Sequence, residues 1–173
     1  YPLYIQMIEC SFKVKPGYVP VIQLRGSRFH RQNEYVEDSN GLEYLMLTSV
    51  DMELFMEHYD VDHLEYIGGY KFRGSTRIFA EFIDYWMGVK VQSEAEGNKG
   101  MRFLAKLQMN SLYGKWATSP NVRSSIPVYD DKDNIIRYEL GDEEVKDPLY
   151  IPLATFITAY ARFETITAIQ NNF

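Results

Sequence analysis

Polar and apolar positions alternate along much of the chain up to residue 72, which is typical of β-strands with one buried face. One amphipathic stretch interrupts the alternation and predicts a helix over 52–59, capped by Ser49 or Asp51. The predicted strands are 4–15, which ends at Pro16-Gly17, then 19–24, 42–48 and 63–72.

From Ser75 onwards the apolar spacing becomes helical, with Ile78, Phe82, Trp86 and Val89 on one face. The later predicted elements are a helix over 101–113, a hairpin of strands 122–129 and 135–140 around the polar turn 130–134, and a helix over 153–172 after Pro148 and Pro152. The expected core residues of these helices are Phe82, Trp86, Tyr160, Phe163 and Ile166. Strands first and long helices later predict an α+β fold.

Composition places the chain among folded globular proteins, since 46% of its 173 residues are hydrophobic and 15% are aromatic. No apolar run reaches the roughly 18 to 20 residues of a membrane helix, so no membrane association is expected. The lone Cys10 excludes an internal disulfide framework and a cysteine-rich zinc site. The net charge of −6 argues on average against a nucleic-acid-binding protein.

Charge is distributed unevenly, however. Residues 34–70 contain ten acids and no Lys or Arg, and 130–147 contain eight acids against three bases. Between them, residues 97–129 contain five bases and no acid. This layout is expected when one surface binds an anion and the remainder keeps the protein soluble.

No metal site is predicted. His30, His58 and His63 lack the spacing of paired ligands and are expected at the surface. The acidic runs 60–63 and 130–133 lack the glycine and distal glutamate of a calcium loop and are expected to be solvated turns.

The predicted helix around residues 101–116 concentrates functional side chains on one stripe. At about 100° per residue, Lys106, Asn110 and Tyr113 fall within about 80° of Arg102, and Lys99 joins them if the helix starts early. Cations one turn apart suit a triphosphate, and an aromatic ring suits a stacked base. Alternatively, the cations are solvated and the tyrosine packs. The neighbouring stripe of Phe103, Leu104 and Leu107 is expected to anchor the helix in a core.

Residues 106–115, K-L-Q-M-N-S-L-Y-G-K, closely resemble the K-x-x-x-N-S-L-Y-G-K signature, motif B, of family B DNA polymerases. The flanks resemble the protein-primed bacteriophage branch of that family, and the similarity covers essentially the whole chain. The matching segments are Tyr1-Pro2-Leu3, Gly17-Tyr18, Ser27-Arg28-Phe29, Asn33-Glu34-Tyr35, Glu57-His58-Tyr59-Asp60, Phe82-Ile83-Asp84, Lys146-Asp147-Pro148 and Phe156-Ile157-Thr158-Ala159.

The resemblance implies roles for individual residues. Arg102 and Lys106 are expected to contact the triphosphate of the incoming dNTP, with Lys90 as a further basic contact. Asn110 and Tyr113 are expected to border the nascent base pair. The expected DNA-binding residues are Ser111, Gly114, Lys115, Arg123 and Arg28, and Gly114 would let the template backbone approach closely.

The resemblance also implies an organisation into a palm-edge strand (1–21), a first terminal-protein-region insertion (22–78), fingers helices with motif B (79–120), a second insertion forming a β-hairpin (121–147) and a palm helix (148–173). The first insertion would contact the terminal priming protein and upstream duplex. The second would support processivity and strand displacement. Arg162 is expected either to support the palm or to lie at the surface.

Family B catalysis uses two divalent ions, Mg²⁺ in the parent enzyme, held by D-x-x-S-L-Y-P and Y-x-D-T-D-S motifs. Neither motif occurs here, so the resemblance implies a polymerase fragment with no catalytic residue or cofactor of its own, inactive alone and prone to self-association. Its expected partners are primer-template DNA, dNTP and terminal protein, in the cytoplasm of a bacterial host, encoded by a phage or prophage. The alternative is a non-enzymatic DNA- or protein-binding module derived from the polymerase.

Overall fold

The computed structural model describes residues 3–32, 34–147 and 149–172. The chain divides into two compact units, Tyr1–Phe79 with Thr155–Phe173 (unit 1) and Ala80–Ala154 (unit 2). Helices and antiparallel sheets are both present, so the predicted α+β class is confirmed. Across the described residues, no helix is both long enough and apolar enough to cross a bilayer.

The elements are β1 (Leu3–Val14), β2 (Gln23–Leu24), β3 (Glu34–Tyr35), β4 (Glu43–Thr48), α1 (Ser49–His58), β5 (Tyr59–Phe72), α2 (Ala80–Ala95), α3 (Lys99–Trp116), β6 (Asn121–Asp130), β7 (Ile135–Val145) and α4 (Ile151–Gln170).

Unit 1 is built on an antiparallel sheet in the order β4-β1-β5, with β1 in the centre. Ile8, Cys10 and Phe12 point from one face of β1 into the core, because residues two apart on a strand share a face. Phe12 packs edge-on against Phe55 of α1 and against Tyr59, with ring centroids 5.2 and 4.9 Å apart. In α4, Phe163 packs against this core.

Tyr59 explains why the predicted strand 19–24 is wrong over most of its length. The Tyr59 hydroxyl accepts hydrogen bonds from the amides of Val21 and Ile22, at 2.8 and 3.0 Å, and donates one to the Val36 carbonyl at 2.8 Å. The amides of Val21 and Ile22 are therefore satisfied by a side chain and not by a neighbouring strand. Only Gln23 and Leu24 pair with β3.

Helix α1 is capped one residue earlier than predicted. The Thr48 side chain accepts a hydrogen bond from the Asp51 amide at 3.1 Å, and its hydroxyl donates to the Asp51 carboxylate at 2.8 Å. Threonine before the helix with an acid three residues later forms this reciprocal cap.

Two of the three histidines contradict the surface prediction. His58 is buried with Nδ1 2.8 Å from the Val19 carbonyl, and His30 is buried with Nε2 3.4 Å from the Ser39 carbonyl. Buried backbone carbonyls need donors, and an imidazole can supply one.

Strand β5 starts at Tyr59 and pairs with β1 as far as Val14, so the acidic run 60–63 lies in a strand and not in a solvated turn. The alternation is interrupted in this run because the pairing shifts register between Ser11 and Phe12, which leaves Asp62 without a partner on β1. The second acidic run does form a turn, in which Asp130 accepts hydrogen bonds from the amides of Lys132 and Asp133. It joins β6 and β7, which confirms the hairpin and extends it to Val145.

In unit 2, α2 begins at Ala80 and not near Ser75, because Arg77 adopts a left-handed φ of 65° that a helix cannot include. Ile78 consequently lies outside the helix and is exposed. Phe82 and Trp86 are half-buried and so do not form the expected core, and Tyr160 of α4 in unit 1 is also exposed. Pro148 lies outside the described residues.

The apolar stripe of α3 is not covered as predicted. Phe103, Leu104 and Leu107 are exposed by 67%, 39% and 46%, and among the described residues of this helix only Ala105 is buried. The periodic spacing was correct, but it could not indicate that the described residues leave this stripe uncovered.

Candidate functional site

A cleft of about 510 Å³ lies between the C-terminal end of α2 and the first turns of α3. It belongs entirely to unit 2. The lining residues are Ser93, Glu94, Gly97, Lys99, Arg102, Phe103 and Lys106. Two residues of the predicted nucleotide site, Arg102 and Lys106, are therefore brought together in one concave surface.

Local sequence explains why the cations converge there. The Asn98 side chain accepts a hydrogen bond from the Met101 amide at 3.0 Å and fixes the start of α3 at Lys99. Positions 99, 102 and 106 are then three and four residues apart, which places them on one helical face. Because the helix starts early, Lys99 joins the basic stripe.

Glu94 of α2 contributes the only carboxylate among the described residues that line the cleft. Its Oε1 lies 3.3 Å from Nη2 of Arg102, and both side chains are substantially exposed. Among the described residues, no carboxylate forms an ion pair with Lys99 or Lys106. The cleft thus presents three cations against one acid, which favours a polyanion with charges spread over several ångströms.

The other predicted nucleotide contacts lie outside the cleft. Asn110 and Tyr113 follow one to two turns further along α3, with Asn110 exposed and Tyr113 half-buried. Lys90 is half-buried on α2 and is not among the described residues that line the cleft.

The predicted DNA contacts are distributed over both units. Ser111, Gly114 and Lys115 are exposed in the second half of α3. On the hairpin, Arg123 Nη2 lies 3.1 Å from Oε2 of Glu143. Arg28 belongs to unit 1, where its guanidinium lies 5.5 Å from the centre of the Phe29 ring.

The fold of this chain does not require glycine at position 114. A Cβ built there meets no atom within 4 Å, and the residue lies inside α3. Glycine within a helix costs roughly 1 kcal/mol relative to alanine. Packing in the described structure provides no compensation for that cost.

The cleft does not fit a divalent metal ion, because its one described carboxylate is engaged by Arg102. Across the described residues, the group of side chains that could hold a metal is Glu9, His63 and Glu65, on the sheet of unit 1. Sequence reasoning missed this group because Glu9 and His63 are far apart in the chain. The spacing of His63 and Glu65 on one strand face was the available signal.

Cys10 is not a reactive thiol. It is buried beneath the sheet, and its pKa is raised from 9.0 to about 12 by burial and by the negative charges of Glu43 and Glu9. Its role is packing.

Comparison with known proteins identifies relatives across the full chain. The family model described as DNA polymerase type B, organellar and viral, matches residues 1–173. The DNA polymerase of Bacillus phage phi29 is 48% identical over 171 residues, and that of Bacillus phage Nf is 49% identical over 172. The DNA polymerase of Streptococcus phage Cp-1 is 34% identical over 178 residues.

These alignments cover 98% of this chain but only 29 to 30% of the relatives. Among solved structures, phi29 DNA polymerase complexed with primer-template DNA and incoming nucleotide substrates has a TM-score of 0.90 at 47% identity, covering 99% of this chain and 29% of that one. Its binary complex with primer-template DNA gives a TM-score of 0.81, covering 98% of this chain and 28% of that one. The chain therefore belongs to the type B DNA polymerases of the organellar and viral group.

Proposed function

We propose that this chain is the nucleotide- and DNA-binding part of a protein-primed DNA polymerase encoded by a phage or prophage and active in the bacterial cytoplasm. The observation that carries the proposal is the cleft in which Arg102 and Lys106, both belonging to the motif B helix, face the same space. A relative of 47% identity has been solved with DNA and nucleotide bound, which supports the same ligands here.

The triphosphate of a dNTP binds at Arg102 and Lys106, with Lys90 as a further cation. Lys106 offers an ammonium that has no carboxylate partner among the described residues, so binding an anion there breaks no existing ion pair. Asn110 and Tyr113 border the nascent base pair, where the Tyr113 ring offers a stacking surface.

The template strand runs along the second half of α3, past Ser111, Gly114 and Lys115. The open space at Gly114 supports this assignment, because it leaves room for a nucleic-acid backbone where the chain itself places nothing. Arg123 and Arg28 contribute further phosphate contacts, and both are exposed.

The two insertions, 22–78 and 121–147, are assigned to different partners. The remaining segments of this organisation are 1–21, 79–120 and 148–173. Segment 22–78 contacts terminal protein and upstream duplex. Segment 121–147 is the hairpin of β6 and β7, whose Tyr138, Leu140 and Val145 are at least 70% exposed. A two-stranded hairpin exposed on both faces is marginal alone, which is consistent with closure around DNA and a role in processivity and strand displacement.

Catalysis belongs to the longer polymerase. Its Mg²⁺ ions would activate the primer hydroxyl and neutralise the leaving pyrophosphate. The aspartate motifs that hold those ions do not occur in this sequence, so we expect that the chain by itself binds but does not react. The exposed stripe of Phe103, Leu104 and Leu107 also makes self-association of the isolated chain expected.

Titration of the chain with primer-template duplex at several salt concentrations tests the binding proposal. We expect log K to fall with log salt, and the K115Q variant to have a shallower slope, because Lys115 is assigned to the template strand. The matched control is K13Q, which removes an exposed lysine of β1 that is assigned to no ligand. A slope near zero, or equal effects of the two variants, would contradict the assignment.

Primer extension with Mg²⁺ and dNTPs tests inactivity, and we expect no product from the chain alone. Extension by the purified chain would overturn this part of the proposal. The sequence of the complete gene product distinguishes an enzyme from a non-enzymatic derivative, since only an enzyme carries both flanking aspartate motifs.

A further inference from the structure

We propose that Glu9, His63 and Glu65 form a binding site for a first-row divalent metal ion such as Zn²⁺. One potential ligand atom from each side chain lies within 4.8 Å of the other two. The site uses none of the residues assigned to nucleotide or DNA, so it stands independently of the proposed function.

Strand register positions the three side chains. Glu9 of β1 lies directly opposite Glu65 of β5, and Ser11 lies opposite His63. Residues two apart on a strand point to the same face, so His63 and Glu65 project together. Glu9 projects from the face opposite to that of the buried Ile8 and Cys10. Pairing is regular from Ile8 to Ser11, between two shifts of register at Met7/Ile8 and Ser11/Phe12, so Glu9, His63 and Glu65 lie on one regularly paired stretch.

The separations suit a metal ion. His63 Nε2 lies 3.4 Å from Oε1 of Glu9. Adjacent ligands at about 2.0–2.2 Å from a metal ion are about 2.8–3.6 Å from each other in tetrahedral or octahedral geometry. The Glu65 carboxylate lies within 4.8 Å of both other ligand atoms, and its side chain is exposed, so a bound ion would require only a change of its side-chain torsion angles.

Charge gives a second and independent argument for a cation. Two carboxylates directly opposite each other on one face of a sheet repel and destabilise the pair. Among the described residues, no Lys or Arg forms an ion pair with Glu9 or Glu65. In the described structure, the group that forms an ion pair with this carboxylate pair is therefore the His63 imidazole and not a permanent cation.

Tyr44 of β4 supports the orientation of the central ligand. It pairs with Glu9 on the other side of β1, and its hydroxyl donates a hydrogen bond to the Glu9 carboxylate. Metal-ligating carboxylates are commonly held by such outer hydrogen bonds. The Glu9 side chain is only 19% exposed, so it is the most fixed of the three ligands.

The donor set selects the class of metal. One imidazole nitrogen and two carboxylate oxygens favour Zn²⁺ and its first-row neighbours over Mg²⁺, which prefers oxygen ligands and loses its waters reluctantly. Three protein ligands leave a further position for water. The bound ion bridges β1 and β5 and compensates the two carboxylates.

Calorimetric and thermal titration of the chain with Zn²⁺ tests this proposal. We expect one ion per chain and, at a Zn²⁺ concentration about 100 times the Kd, a rise in Tm of about 5 to 10 °C. H63N and E65Q should each weaken binding by at least about tenfold, because each removes one of only three ligands. Circular dichroism of the metal-free variants checks that the fold is retained, and His63 is exposed enough to be replaced.

E34Q is the matched control. His30 Nδ1 and Glu34 Oε1 are also 3.4 Å apart, but the described structure places no second carboxylate in that pair. E34Q should bind Zn²⁺ like the parent chain. Absence of stoichiometric binding, equal binding by H63N, or binding of Mg²⁺ as tight as that of Zn²⁺ would each overturn the assignment.

Discussion

The guanidinium of Arg162 in α4 donates three hydrogen bonds to the carboxylate of Asp51 in α1. Its Nε and Nη2 lie 3.0 and 2.9 Å from Oδ1, and Nη2 lies 3.0 Å from Oδ2. Asp51 also accepts a hydrogen bond from Thr48, so one carboxylate both completes a helix cap and ties α4 to α1. Arg162 is itself exposed, so the described structure combines the two alternatives left by the sequence: the side chain lies at the surface and links α4 to α1.

Breaking this pair should destabilise the chain. We expect R162M to lower the free energy of unfolding by about 1 kcal/mol, because the contact is multidentate but half exposed at the arginine. D51N should cost more, about 1–2 kcal/mol, since the cap is weakened as well. Urea denaturation measures the free energy of unfolding of both variants and of the wild-type chain. Variants as stable as the wild-type chain would contradict the link between Arg162 and Asp51.

Replacing Glu94 should strengthen triphosphate binding. The E94Q variant frees Arg102 from its ion pair, and we expect the affinity for inorganic tripolyphosphate to rise about two- to fivefold. E143Q breaks a comparable exposed pair with Arg123 and is the control. Calorimetry at fixed ionic strength measures both affinities. A gain that persists in the double variant R102M/E94Q would exclude Arg102 as its source.

Alanine at position 114 should have opposite effects on two properties, raising the free energy of unfolding and weakening the binding of primer-template DNA. Because a Cβ there meets nothing, G114A should raise the free energy of unfolding by up to about 1 kcal/mol. G88A in α2 also has open space and should stabilise similarly. Only G114A is expected to weaken primer-template binding, measured by fluorescence anisotropy. Unchanged DNA affinity of G114A would remove the argument for a close template backbone.

Cys10 should make the free energy of unfolding of the chain fall as the pH rises through the alkaline range. Its pKa is raised to about 12 in the fold, so it binds its proton more tightly there than in the unfolded chain. Its contribution is fully present below the unfolded pKa of about 9 and is lost as pH rises toward 12. The wild-type chain should therefore lose stability more steeply than C10A between these values, by up to ~1.4 kcal/mol per pH unit. Parallel slopes in pH-dependent urea denaturation would refute this.

Local periodicity predicted most elements because it reports directly on burial. Strand β1, the hairpin and the three long helices appear where alternation or helical spacing indicated, within a few residues. The failures have tertiary causes. In the segment 19–24, two amides donate hydrogen bonds to the distant Tyr59 hydroxyl and so are not available to a neighbouring strand. His58 is buried where its imidazole contacts the Val19 carbonyl, which is also far from it in the chain.

The sequence by itself determined the α+β class, the basic stripe of α3 and, through motif B, the polymerase family. These follow from local spacing and from a contiguous motif, which need no knowledge of distant contacts. Only the tertiary structure decided that Glu94 faces Arg102, that Asp51 meets Arg162 and that Glu9 joins His63 and Glu65. The last two depend on strand register and helix docking between residues far apart in the chain, and the first on how two neighbouring helices pack. Sequence spacing specifies none of the three.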